Sequence, residues 1–98
     1  MKRIQKYGLI YRSGPQSILV PKNTELLMCE GSLPYASYPS ISVYVLTEIN
    51  MKETVIARLL IIGEGMEMTN EWNALNYLGK IMVEITARPW HVFGYVEN

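Results

Sequence analysis

Aspartate is absent from this 98-residue chain, and all nine of its acidic residues are glutamate. Aspartate serves turns, helix N-caps and many metal and carboxylate sites, so its absence narrows those options while leaving a glutamate site open. A single cysteine, Cys29, permits no internal disulfide and no paired-cysteine metal motif, and it fits a reducing compartment. A single histidine, His91, leaves few ligands for a metal centre. No apolar run is long: the best, Val55 to Ile62, is interrupted by Arg58 and falls far short of the ~20 residues a membrane span requires. Met1, Lys2 and Arg3 are followed by Ile4, Gln5 and Lys6, without the apolar stretch of a secretory signal. Formal net charge is zero, which argues against a free-standing DNA binder and against a polyanionic DNA mimic.

What is present suits a small core. Apolar residues make up 49% of the chain and charged residues 18%, so a single domain over residues 1–98 is expected rather than disorder. Charge is spread unevenly. Residues 1–22 hold Lys2, Arg3, Lys6, Arg12 and Lys22 and no acid, while the remainder holds four bases against nine glutamates. Chance together with strand pairing between opposite charges accounts for such a split.

The dominant period is two. Ile41, Val43 and Val45 alternate with Ser42, Tyr44 and Leu46, which puts one face inside. Val55 to Ile62 is apolar on both faces and reads as a central strand. Breakers at Ser13-Gly14-Pro15, Pro21-Lys22-Asn23, Gly31 to Ser40, Asn50 to Lys52 and Arg88-Pro89 divide the chain. Strands are therefore predicted near 3–12, 16–20, 25–30, 40–48, 54–62, 76–85 and 90–96. The expected fold is all-β, a single small sandwich or partly closed barrel of about seven mainly antiparallel strands. Ile41, Val43, Val45, Leu59, Ile61, Val83, Val92 and Val96 are the predicted core. Residues 69–79 admit a short helix with Asn70 as N-cap, but Asn73 and Asn76 favour an irregular loop or one helical turn leading into a strand from about Asn76.

Candidates for chemistry are few. Cys29 and His91 are the only residues able to form a nucleophile–base pair of the thiol type, yet Leu26, Leu27 and Met28 make Cys29 a small core hydrophobe. His91, between Trp90 and Val92, reads as a structural histidine hydrogen-bonded at a sheet face. Glu64, Glu67 and Glu71 would converge on a metal only on a helix, and Gly63-Glu64-Gly65 argues against one. That glycine pair reads as a strand-end turn needing positive φ rather than a phosphate loop. No enzyme, metal or cofactor is expected. The loop chemistry points instead to contact surfaces. Tyr35 and Tyr38 lie in a Gly-Ser-Pro-Tyr stretch, where tyrosine gives large contact area at low entropic cost. Met66, Met68 and Trp72 stand among glutamates, and methionine and tryptophan are enriched at protein contacts. The competing expectation is that these five side chains fold back and cap an open barrel end.

Ile4-Gln5-Lys6-Tyr7 with Leu9, Ile18-Leu19-Val20-Pro21-Lys22, Leu26-Leu27, Ile61-Ile62-Gly63-Glu64-Gly65, Tyr77-Leu78-Gly79 and Trp90-His91-Val92-Phe93 together resemble a family of small uncharacterised bacteriophage proteins. The resemblance runs over most of the chain. It implies a phage accessory protein, such as an anti-defence inhibitor, that acts by stoichiometric binding to a host or defence-system protein in the host cytoplasm. The alternatives are a protein that sequesters a signalling nucleotide, stacking the base on Tyr or Trp and meeting phosphates with first-strand cations, and a β barrel binding single-stranded nucleic acid. Balanced charge disfavours the latter. A symmetric homodimer is also expected, with Tyr7, Ile10, Tyr11, Phe93 and Tyr95 at sheet edges and the basic first strand meeting the 64–71 loop of a second copy.

Overall fold

Alternation along one strand shows how the sequence builds the architecture. Over Ile41–Glu48, Ile41, Val43, Val45 and Thr47 are buried, while Tyr44, Leu46 and Glu48 lie half-buried on the other face. β-branched side chains suit such a pleated, half-buried surface. The computed structural model describes residues 1–32, 40–68, 75–82 and 88–98. Within them lie seven strands: β1 (Lys2–Leu9), β2 (Gly14–Pro21), β3 (Glu25–Gly31), β4 (Ile41–Glu48), β5 (Thr54–Gly63), β6 (Asn76–Ile81) and β7 (Trp90–Val96). Every pairing is antiparallel, in a three-stranded sheet of order β1-β4-β3 and a four-stranded sheet of order β2-β5-β7-β6. The sheets do not close into a barrel. They face each other as a sandwich, and no helix occurs among the described residues.

The inner faces meet in one cluster. Ile41, Val43 and Val45 of β4 pack with Ala57, Leu59 and Ile61 of β5, Val20 of β2 and Val92 of β7. Val96 is half-buried against the cluster, and Val83 lies outside the described residues. β5 is central, between β2 and β7, as its two apolar faces require. Gly94 of β7 permits the closest approach: a Cβ there would stand 2.7 Å from Leu59 Cδ1 and 3.1 Å from the Arg58 carbonyl oxygen.

Strand ends follow local chemistry. β1 stops at Leu9 rather than near residue 12 because Gln16 clasps the turn: the Ile10 amide donates to Gln16 Oε1 at 2.8 Å, and Gln16 Nε2 donates to the Ile10 carbonyl at 3.1 Å. Pro15 and Pro21 both fall on β2, an edge strand, where a missing N–H is tolerated. Asn23 takes φ 66° in the β2–β3 turn, the left-handed conformation asparagine accepts. One side of the sandwich is pinched, with β3 against β6: a Cβ on Gly31 would stand 2.9 Å from Ile81 Cβ. β1 and β2 are the edge strands of the opposite side.

The edge assignment corrects one expectation. β7 is an interior strand, so Phe93 and Tyr95 are not edge residues, and Tyr7 points inward to pack on the core.

Candidate functional site

The outer face of the four-stranded sheet is built from the residues that alternate with the core. On β5 these are Ile56, Arg58, Leu60 and Ile62, and on β7 they are His91, Phe93 and Tyr95. Strand register sets them in cross-strand rows. Leu19 pairs with Ile56, Arg58 with Tyr95, Leu60 with Phe93 and then Tyr77, and Ile62 with His91 and then Lys80. Directly opposed apolar and aromatic pairs are the unit of sheet stabilisation, which keeps this face in place.

One polar chain crosses it. Tyr77 Oη lies 2.8 Å from His91 Nδ1, and His91 Nε2 lies 3.2 Å from Glu64 Oε1. A neutral imidazole satisfies both contacts in a single tautomer, donating to Glu64 from Nε2 and accepting the Tyr77 hydroxyl at Nδ1. The Tyr77 ring also packs on Phe93 at 5.1 Å between centroids. Glu64 reaches His91 because β5 ends in a tight turn. Gly65 adopts φ 88° there, the Met66 amide donates to the Gly63 carbonyl, and the Glu64 amide donates to the Pro89 carbonyl. This is the positive-φ strand-end turn expected of Gly63-Glu64-Gly65.

The turn folds the following segment back over β7. A cleft of about 340 Å³ results, lined by Ile62, Glu64, Met66, Met68, His91 and Phe93 among others. Two of the five predicted contact residues, Met66 and Met68, therefore share this cleft, Met66 largely exposed and Met68 half-buried. Tyr35, Tyr38 and Trp72 lie outside the described residues. His91 and Phe93 complete the cleft, with Tyr77 packed against both, and none of the three was predicted as part of a partner-binding site; Phe93 was expected only at a homodimer edge. Their alternation on β6 and β7 was the available signal, but the fold-back that brings Met66 to them was not.

A second, larger groove of about 690 Å³ follows the pinched side, lined by Asn23, Thr24, Glu25, Asn76, Tyr77, Tyr95 and Asn98 among others. Among the described residues, Glu25 is the only charged side chain in its lining. Lys2 and Lys6 of β1 do not face these tyrosines, because they alternate with inward-facing residues on the outer face of the other sheet.

Neither site holds a catalytic constellation of the kind the sequence allowed. Cys29 sits in the core between the sheets, while His91 is on an outer face, so the two do not form a pair. Burial pushes the Cys29 thiol up, away from the reactive thiolate. Among the described residues, no three of His, Cys, Asp and Glu converge on a point where a metal ion would sit. Also among them, no helix is long and apolar enough to cross a membrane. No family model matches the chain, and no curated protein or solved structure is significantly similar to it.

Proposed function

We propose that this protein is a non-catalytic binding module that engages a protein partner through the outer face of its four-stranded sheet, centred on Tyr77, Phe93, Met66 and Met68. The observation that carries this reading is the exposure of large apolar side chains around the cleft at one end of this face. Met66 is 65% exposed and Tyr77 53%, beside the half-buried Phe93 and Met68, while Leu19 and Ile56 form a separate apolar pair beyond the Arg58–Tyr95 row. Contiguous apolar surface with aromatic and methionine content marks interaction sites. Glu64 and His91 supply a fixed polar pair within that surface, which gives orientation as well as area.

The family resemblance sets the context: a phage accessory protein or anti-defence inhibitor acting stoichiometrically on a host or defence-system protein in the host cytoplasm. The nucleotide-sequestering alternative has less support. Among the described residues, the large groove offers tyrosines and asparagine amides but a carboxylate and no cation in its lining, a poor match for phosphates.

Affinity capture from bacterial lysate with quantitative mass spectrometry tests the reading. Wild-type protein enriches one partner, and Met66→Glu, exposed and not needed for the core, removes that partner with little change in melting temperature. Equal capture by both forms overturns the assignment of this face.

A further inference from the structure

The outer face of the three-stranded sheet carries an apolar strip with opposite charges along its two borders. Register sets Ile4, Leu46 and Glu25 in one row, Lys6, Tyr44 and Met28 in the next, and Gly8, Ser42 and Glu30 in the third. Lys2 continues the β1 border. Ile4 is 66% exposed and Met28 50%, and with Leu27, Glu30 and Tyr44 they line a groove of about 330 Å³. Tyr44 donates its hydroxyl to Glu30 Oε2 at 2.9 Å, which fixes that carboxylate at the border. Gly8 leaves open space above the sheet, since a Cβ there would meet nothing within 4 Å.

We propose that this face is the interface of a symmetric homodimer, in which the lysine border on β1 of one copy lies over the glutamate border on β3 of the other. The geometry follows from symmetry. A two-fold axis running along β4, in the plane between two facing sheets, places β4 over β4 and exchanges β1 with β3. Tyr44 and Leu46 then meet their own copies along the axis, and Ile4 stands over the Glu25 position of the other copy. The bare Gly8 position receives Glu30, and Lys6, opposite Met28, has Glu25 and Glu30 in the adjacent rows. In this arrangement each lysine border faces a glutamate border, and Glu48, beside Lys2 in its row, is the one carboxylate that opposes its own copy. An axis across the strands instead stacks β1 on β1 and sets the lysines of one copy against those of the other. Like charges face to face are the costly outcome that sets orientation. A zero net charge gives no long-range repulsion against association.

The interface is independent of the partner face described above, which lies on the other sheet. Sedimentation velocity across micromolar concentrations reads it directly. Wild type sediments as a dimer. Lys6→Glu and Glu30→Lys each occur twice in a two-fold interface, so each weakens dimerisation at least about tenfold. The combined charge exchange, Lys6→Glu with Glu30→Lys, restores it. Ile4→Glu, in the apolar strip, abolishes it. All these positions are exposed, and far-UV circular dichroism verifies that the variants keep the β fold. A single-chain mass at every concentration overturns the proposal. So does a dimer that the single reversals leave unchanged, or one that the double exchange fails to restore.

Discussion

Thr47 is buried on the inner face of β4, and its hydroxyl finds no hydrogen-bond partner among the described residues; Thr24 is in the same position. A buried unpaired hydroxyl carries its desolvation cost without compensation. Valine has nearly the same shape and suits the same strand, so Thr47→Val is expected to stabilise the fold by about 1 kcal/mol. For a domain of this size that is a rise in melting temperature of roughly 4–8 °C. Calorimetry checks it, and a lowered melting temperature would show that the hydroxyl is satisfied after all. The period-two pattern of Ile41, Val43 and Val45 extends to position 47 in the structure, although Thr47 was not among the predicted core residues. It did not reveal the missing partner, because satisfaction depends on what the opposite sheet presents.

At the scale of elements, alternation made the strands legible, and Pro and Gly placed their ends. β7 falls on the residues predicted for it, and β3, β4 and β5 differ by a residue at one end. β2 runs longer than predicted at both ends, and β6 starts at Asn76 as predicted, with most of its expected last residues outside the described ones. β1 ends three residues short, because Gln16 reaches back to Ile10 and closes the turn early, a side-chain contact that no propensity encodes. The site was less legible. Met66 and Met68 stood out by residue type, but their neighbours His91 and Phe93 come from a strand more than twenty residues away, joined by pairing of β5 with β7. Long-range pairing is what a single sequence shows least. The same pairing carries a charge contact from β5 to the C-terminal end. Arg58 Nε donates to Glu97 Oε1 at 2.6 Å, and Tyr95 Oη donates to the same oxygen at 3.3 Å. The Arg58 hydrogen bond holds the Glu97 carboxyl below the ordinary glutamate range. With the folded value depressed, whatever stability the pair contributes is fully present above the ordinary glutamate value and is lost as pH falls through the depressed one. Both side chains are well exposed, so the effect on stability is small. The titration itself is the sharper measurement. NMR of the Glu97 carboxyl should give a midpoint below that of an unperturbed glutamate, and Arg58→Gln should move it upward. A midpoint that ignores the substitution removes Arg58 as the cause.

At the scale of the whole molecule, the sandwich is closed along the β3–β6 side and ends in free edges at β1 and β2. Two faces carry exposed apolar surface, one on each sheet, and the edges offer a third route to self-association. Hydrogen exchange separates face stacking from edge pairing. The Ile49 amide donates to the Met1 carbonyl, and this fixes the phase of the β1–β4 ladder. In an antiparallel pair the bonded positions alternate, so Arg3, Gln5 and Tyr7 point their amides toward β4, and Ile4, Lys6 and Gly8 point theirs to the free edge. The first set should be protected and the second should exchange rapidly in the monomer. Face-to-face dimerisation buries the side chains of Ile4 and Lys6 but supplies no acceptors to their amides, so those amides stay fast as concentration rises. Pairing through the β1 edge would bond them to a second copy and slow them by orders of magnitude. Concentration-dependent protection at Ile4, Lys6 and Gly8 would therefore transfer the interface from the face of the three-stranded sheet to its edge.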